Sequence, residues 1–372
     1  MKPFGWSLFK NSKEPVPTDP RSWNWKPAHP TWLQSRNPFP LKGKSESFGS
    51  PKVLILGPDS AEIGALTQKL RAKKTGFVRI NLDEFSNAAK FKINLSSKKS
   101  MAQLQIKGQS YDLKQFRSVY YEPPKSFQLT DREVDQLNLE ERVFVKRWES
   151  LIFDLHSFMP KSKWYPGLPT ELREDSQRKL SELMLAKKCG FNIPETTIVM
   201  NAKLAKSVVM NSKTGTLLRD FGTRTAFMKG KAWTYKIEKL ASDRKDWMAI
   251  SESPVALQNY VDKLFDIRVI QIGDKTLACS IDSQASQVSK TDWREYDYAN
   301  VRYTPIQLKN KTINSITKFM KSTGQKMGSF DFVVDKKGKI YFLEMNRPGA
   351  WLFIEALSGI PVTDTIVKSL KK

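Results

Sequence analysis

Hydrophobic positions in this chain come in short bursts closed by glycine, proline or charge, and their spacing changes character several times after residue 52. Val53-Leu54-Ile55-Leu56 is an apolar run of strand length, followed by the turn residues Gly57-Pro58-Asp59-Ser60. Ile63, Leu66 and Leu70 then recur at helical spacing, and Phe77-Val78-Arg79-Ile80 is a second strand, which together predict a β-α-β unit. Ile93, Leu95, Leu104, Ile106 and a strand over 118–121 extend that unit, and Pro123-Pro124 punctuates its end. Over 131–159, Val134, Leu137, Val143, Phe144, Trp148, Ile152 and Leu155 fall on helical spacing, predicting one or two closing helices. The stretch 160–170, with Trp164, Pro166 and Pro169, reads as a junction loop.

Beyond it the pattern predicts a helix over 176–189 stopped by Gly190, a strand over 196–199, a helix over 203–211 and a strand over 216–219. A loop with Gly222 and Gly230 and a strand over 233–237 follow. Strands are predicted over 255–261, 267–272 and 277–281, the last two joined by a Gly273-Asp274 turn, and a helix over 313–321 precedes a final hairpin. The order is α/β first, then a mixed α+β body.

That final hairpin carries the chain's clearest chemistry. Two apolar runs, 330–334 and 340–345, flank turn residues 335–339, which include Gly338 and form a loop of about four residues. Side chains alternate along a strand, so Glu344 and Asn346 share a face. If Asp335 pairs with Ile340, Asp331 lies opposite Glu344, with Cβ atoms roughly 5 Å apart. Two facing carboxylates repel unless a cation joins them, and an all-oxygen set suits Mg²⁺ together with phosphates and waters. The alternative is an acidic pair solvated on an open face. Asn346-Arg347-Pro348-Gly349 leaves the strand as a polar loop, a location favoured by ligand sites.

Composition narrows the setting. A chain of 372 residues, 40% hydrophobic with 10 Trp and 21 Phe, builds two or three packed units. No run approaches the ~18 apolar residues of a membrane span, and the N-terminus lacks a secretory apolar core, so a soluble cytoplasmic protein is expected, with no membrane partner. Cys189 and Cys279 are isolated, which argues against a disulfide framework or a cysteine zinc site, and His29 and His156 offer little histidine chemistry. The net charge of +24 steers polyanions. Basic residues are spread evenly, without zinc-finger spacing or an aromatic RNA-binding strand, so nucleic acid is not the expected partner. Residues 1–50, with Trp6, Trp23, Trp25 and Trp32, read as a basic, Pro- and Trp-rich extension.

Ordered blocks then resemble a known family. RKLSELMLAKKCGFNIPETTIV (178–199), ALQNYVDKLFDIRVIQIGDKTLACSIDSQ (256–284), TDWREYD (291–297) and the closing SFDFVV and YFLEMNRPGAWLFIEALSGIPV are similar to the ATP-grasp ligases, specifically the microviridin-type or graspetide peptide maturases. The resemblance implies an ATP-grasp fold of α/β (α+β) class with a pre-ATP-grasp α/β domain over 51–165, a central subdomain over 166–260 and a C-terminal subdomain over 261–372. It implies ATP and Mg²⁺ as cofactors, with Asp331, Glu344 and Asn346 as metal ligands. Gln258, Tyr260 and Val261 would form the adenine-reading hinge, Asp266 would lie near the ribose, and Lys179 would contact phosphate; ordinary strand and surface roles are the alternatives. Arg219 stands where many relatives carry a phosphate-binding lysine. A guanidinium keeps the charge but replaces a compact ammonium with a planar fork, leaving open whether Arg219, Lys229 or Lys231 serves the phosphates or ATP use is weakened. Glu122-Pro123 also stands where relatives often carry basic residues.

Arg268 and Arg294 are the residues the resemblance assigns to chemistry, stabilising charge that develops at an acyl phosphate; salt bridges to Asp266 or Asp292 are the alternative. The implied reaction joins Asp or Glu side chains of a ribosomal precursor peptide, leader plus core, to Thr or Ser hydroxyls or a Lys amine. An acidic peptide suits the basic chain, and a homodimer is implied. Another ATP-grasp ligase acting on amino acids or a protein tail, and a non-catalytic binding protein of the same fold, are the other readings.

Overall fold

The structure is a computed structural model. It describes residues 45–82, 89–98, 100–124, 139–175, 179–219, 225–228, 231–234, 237–243, 247, 254–295, 297–298, 300–347 and 350–372. The four tryptophans of the N-terminal extension, residues 131–138 of the expected helical stretch, and Gly222, Lys229 and Gly230 lie outside the described residues.

The first unit holds β1 (Glu46–Phe48), β2 (Val53–Gly57), α1 (Ala61–Ala72) and β3 (Phe77–Asn81), then a small antiparallel sheet of β4 (Lys90–Leu95), β5 (Ser100–Ile106) and β6 (Gln109–Asp112). β7 (Ser118–Tyr121), α2 (Leu139–Phe158), β8 (Lys163–Tyr165) and α3 (Pro169–Asp175) complete it. The main sheet has the order β1-β3-β2-β7-β8, with β3, β2, β7 and β8 parallel. Ser60 starts α1 by accepting the Ile63 N–H at 3.2 Å, a side-chain N-cap. Two expectations change here. Residues 93–106 do not extend the β-α-β unit but form a separate sheet. The junction loop contains β8, too short to show periodicity, which pairs with β7 and buries Trp164 and Tyr165 on opposite faces.

Alternation along these strands sets the layering. Leu54, Leu56, Val78, Ile80, Val119 and Tyr121 face α2 and the small sheet, whereas Val53, Ile55, Phe77 and Tyr120 face the other way, onto the C-terminal elements.

The second sheet contains β9 (Thr196–Val199), β10 (Thr216–Arg219), β13 (Glu238–Leu240) and β14 (Val255–Asn259) in the order β13-β10-β14-β9, preceded by α4 (Lys179–Lys188) and covered by α5 (Ala202–Asn211). β11 (Thr225–Met228) and β12 (Lys231–Thr234) form a separate two-stranded hairpin; the expected strand over 233–237 is β12, shifted toward the N-terminus.

The third sheet is wholly antiparallel: β15 (Lys263–Ile272), β16 (Lys275–Ile281), β17 (Tyr303–Ile306), β18 (Met327–Asp335) and β19 (Ile340–Asn346), in the order β17-β16-β15-β18-β19. α6 (Asn310–Thr323), α7 (Leu352–Ser358) and α8 (Val362–Lys371) flank it. One face packs Ile267, Val269 and Met345 with α4 and α6 around five phenylalanines, Phe191, Phe319, Phe330, Phe332 and Phe342, whose ring centroids lie 5.4–6.5 Å apart. The opposite face is apolar at one end, where Ile270, Ile272 and Met327 meet α1, α7 and α8, and charged at the other.

Because Phe342 is fully buried at the centre of that ring cluster, Phe342→Ala is expected to lower the unfolding free energy by about 3–5 kcal/mol, measured by urea denaturation.

Candidate functional site

The charged end of the third sheet is built by a cross-strand row. Arg268 on β15 pairs in register with Asp331 on β18, and Asp331 with Glu344 on β19. The expected pair is present, but the hairpin reaches it by another route. Val334, not Asp335, pairs with Ile340, and Phe332 with Phe342; an extra residue, Leu343, then restores Asp331 opposite Glu344. In a regular strand Phe342 and Glu344 would share a face. The bulge at Leu343 sends Phe342 into the phenylalanine core and Glu344 to the other side. A second bulge near Leu264 on β15 does the same for Lys263 and Asp266, which lie three residues apart yet both line the cleft.

Each carboxylate is matched by cations. Arg268 Nη1 donates to Asp331 Oδ1 at 2.9 Å, Arg294 Nη1 to Glu344 Oε1 at 2.6 Å, and Lys179 Nζ to Glu344 Oε2 at 2.9 Å. Asn346 Nδ2 donates to both Asp331 Oδ2 and Glu344 Oε1 at 3.2 Å. Arg294 also holds Asp292 at 2.9 Å, so one expected structural ion pair coexists with its contact to Glu344; Arg268 pairs with Asp331 rather than with Asp266 or Asp292. Burial would raise the pKa of Glu344, but Arg294, Lys179 and Arg219 overcome it and hold this carboxyl well below the usual range. Asp331 moves upward, because burial outweighs its Arg268 partner.

These groups floor a cleft between the second and third sheets. Arg219, Gln258, Tyr260, Val261, Asp266, Arg294, Asp331 and Glu344 line it. Lys179, Arg268 and Asn346 join through their bonds to the two carboxylates, so all eleven residues singled out in the sequence converge on one place. In the segment expected to be the hinge, the Asn259 and Tyr260 N–H groups donate to Glu195 O at 2.9 Å and Gly215 O at 2.8 Å, and Gln258 Nε2 donates to Thr196 Oγ1 at 2.9 Å. Those bonds hold the segment between neighbouring strands. Asp266 is buried, with its carboxylate engaged by Lys263 Nζ at 2.6 Å and by the Ser283 hydroxyl. Burial raises its pKa against the pull of Lys263.

Lys263 escaped the sequence reading, because only the bulge turns it inward. Glu182, buried on α4, escaped too; it follows Lys179 by one helical turn, which was the available signal.

Among the described residues no group of three or more His, Cys, Asp or Glu side chains is arranged to hold a metal. The cluster instead offers two buried carboxylates and a carboxamide, whose oxygen reaches the same point if the amide turns over. These are hard oxygen donors that leave coordination positions for phosphate and water, and they fit Mg²⁺.

No family profile matches the sequence, and no curated protein matches it at the sequence level. Solved structures do. A RiPP-associated ATP-grasp ligase from Chryseobacterium gregarium, in complex with ADP and a leader and core peptide, superposes with a TM-score of 0.72 at 19% identity, covering 86% of this chain and 96% of that one. The macrocyclase MdnC of Microcystis aeruginosa, bound to the precursor peptide MdnA, gives 0.67 at 17% identity, covering 86% and 99%. The ATP-grasp ligase PsnB, with a phosphomimetic variant of its minimal precursor, Mg and ADP, gives 0.64 at 16%, covering 87% and 98%. The chain therefore has the ATP-grasp fold, across nearly the whole length of these relatives.

The ion pairs differ in burial, and this predicts an order of stabilities. Asp331→Ala strands Arg268, whose side chain is 4% exposed, and is expected to cost about 3–5 kcal/mol. Glu344→Ala leaves Arg294 and Lys179, 20% and 26% exposed, within reach of water, and is expected to cost about 1–2 kcal/mol. Thermal and urea melts of both variants check the ranking.

Proposed function

We propose that the protein is an ATP-dependent carboxylate ligase that joins Asp or Glu side chains of a ribosomally made precursor peptide to Thr or Ser hydroxyls or a Lys amine. The observation that carries this reading is the convergence of Asp331, Glu344 and Asn346 with Lys179, Arg219, Arg268 and Arg294 at the floor of the cleft. Carboxylate oxygens meet Lys179, Arg268 and Arg294 there at hydrogen-bonding distance, with Arg219 lining the same cleft, on the fold that three peptide-bound ligases share.

Nucleotide would enter with its base against the hinge of Gln258, Tyr260 and Val261 and its ribose toward Asp266, which Lys263 and Ser283 orient. Asp331, Glu344 and Asn346 would hold Mg²⁺, which supplies neutralisation of the phosphate charge. Arg219 lines the cleft and acts electrostatically on Glu344, so it faces the same charge centre that a lysine at this position would serve. Its fork suits two phosphate oxygens at once. The substrate carboxylate attacks the γ-phosphorus, and ADP leaves. The peptide hydroxyl or amine then attacks the acyl carbon, phosphate leaves, and the nucleophile's proton is lost. In this reading Arg268 and Arg294 would stabilise the oxyanion of that second step.

The +24 charge favours an acidic peptide. Among the described residues no helix is long and apolar enough to cross a membrane, and both cysteines are free and buried, in keeping with a reducing cytoplasm. A homodimer belongs to the same reading.

Two carboxylates already neutralised by three cations give Mg²⁺ little reason to bind by itself. Calorimetry is expected to show no measurable heat with Mg²⁺ alone, and nucleotide affinity at least about tenfold higher with Mg²⁺ than without, a gain of about 1.4 kcal/mol lost in Glu344→Ala. No Mg²⁺-dependent nucleotide binding by the intact protein would overturn the reading.

With an acidic peptide carrying Thr, Ser or Lys, ADP release should accompany a product lighter by one water per bond, and peptide affinity should fall as salt rises. Turnover with free amino acids instead would favour an amino-acid ligase.

A further inference from the structure

β19 carries two of the proposed metal ligands, yet it is the edge strand of its sheet, so one side of its backbone has no neighbouring strand. That side is covered by the segment that begins with α4. Phe342 N–H donates to Asn192 O at 2.8 Å, and Asn192 Nδ2 donates to Ile340 O at 2.9 Å. At Met345, between Glu344 and Asn346, the partner is a side chain: the Met345 N–H donates to Glu182 Oε1. Glu182 is 7% exposed, and its other oxygen lies 3.8 Å from Arg347 Nη1, beyond the second ligand. The Met345 side chain is buried in the phenylalanine core on the opposite face from the ligands.

We infer that Glu182 is a positioning residue for the metal–nucleotide site, taking the place of a missing sixth strand at the point where β19 presents Glu344 and Asn346. The inference rests on the ligase reading, since it assigns those two residues to the metal. Met345 is pinned by its side chain on one face and by its N–H at the strand edge, which fixes the backbone dihedrals that aim its two neighbours. A donor set functions only when its ligands are held to about 0.5 Å by such supporting contacts. The same helix delivers Lys179 to Glu344 one turn earlier, so α4 touches the ligand segment at two points. Without the latch, the end of an edge strand opening into a polar loop is free to fray. Binding without metal draws on the hinge and Arg219, which lie on elements other than that of Glu182, and on Lys179, which keeps its own bond to Glu344 when Glu182 is replaced.

The test uses the full chain and calorimetry of ADP with and without Mg²⁺. Glu182→Gln keeps the acceptor oxygen and is expected to retain the Mg²⁺-dependent gain within about twofold. Glu182→Ala removes the acceptor and is expected to lose at least about tenfold of that gain, while Mg²⁺-free ADP affinity changes less than about twofold. Glu182→Asp keeps the charge and most of the packing but shortens the reach; it is expected to follow alanine, and it decides the matter if alanine does not fold. Hydrogen exchange of peptides spanning 340–347 should quicken in the alanine and aspartate variants and not in the glutamine variant. Full retention of the gain in Glu182→Asp, or a loss in Glu182→Gln equal to that in alanine, overturns the inference. Equal weakening of Mg²⁺-free and Mg²⁺-bound ADP in the alanine and aspartate variants also overturns it, by showing general damage. A wild-type protein with no Mg²⁺-dependent gain overturns the ligase reading itself and this inference with it.

Discussion

Two buried carboxylates, Asp331 and Glu344, face one another across adjacent strands, and much of the surrounding structure is organised by the need to tolerate them. Like charges opposed in a sheet repel, and burial adds a desolvation cost to each. The response is asymmetric. Glu344, served by Arg294, Lys179 and Arg219, keeps its charge firmly; Asp331, with Arg268 as its close partner, is pushed upward. The cluster is thereby slightly over-neutralised without ligand, a state suited to receiving an anionic metal–phosphate complex rather than a bare cation. In the proposed reading, phosphates bound with a metal would give the guanidiniums and the lysine new partners while the carboxylates held the metal, so no buried charge would be stranded.

Placing those carboxylates demanded two departures from regular strand geometry. The phenylalanine core and the polar cleft lie on opposite faces of one sheet, and β19 must serve both within Phe342-Leu343-Glu344. Strict alternation cannot do this, because residues two apart point the same way. The bulge resolves the conflict, as the bulge near Leu264 does for Lys263 and Asp266. Both sit beside the site, one on each strand that flanks β18.

The same feature explains how legible the site was. Counting back from an assumed Asp335–Ile340 pair reached the Asp331–Glu344 pair, although the hairpin is shifted by one residue at its turn and corrected by one at Leu343. Two offsets cancelled. Periodicity locates strands such as β7, β9 and β10 well because their apolar runs are bounded by turn residues, but it carries no signal for an inserted residue, so Lys263 stayed hidden. β8 was lost for a different reason: three residues among prolines are too few to show a period, and its pairing with β7 is a long-range choice. The family resemblance, not the spacing, brought Lys179, Arg219 and Arg294 into view. For Glu182 the one signal was its place a helical turn after Lys179, and its part is defined by a backbone N–H that any residue at position 345 except proline would offer.

The site is also tied to the N-terminal sheet through the loop that follows its ligands. Arg268 Nη2 donates to Ala350 O at 2.9 Å, Trp351 Nε1 meets the buried Tyr120 hydroxyl at 3.3 Å, and Phe353 stacks on Trp293, the neighbour of Arg294. Arg268 thus bonds at once to a proposed ligand on β18 and to the chain that packs against β7. Helices α7 and α8 fill the space between the two sheets, so their apolar faces fix the distance between the N-terminal sheet and the charged row. A tilt of the N-terminal unit would be felt first at Ala350 and Trp351, and through them at Arg268, because close-packed interiors pass displacement along rather than absorb it.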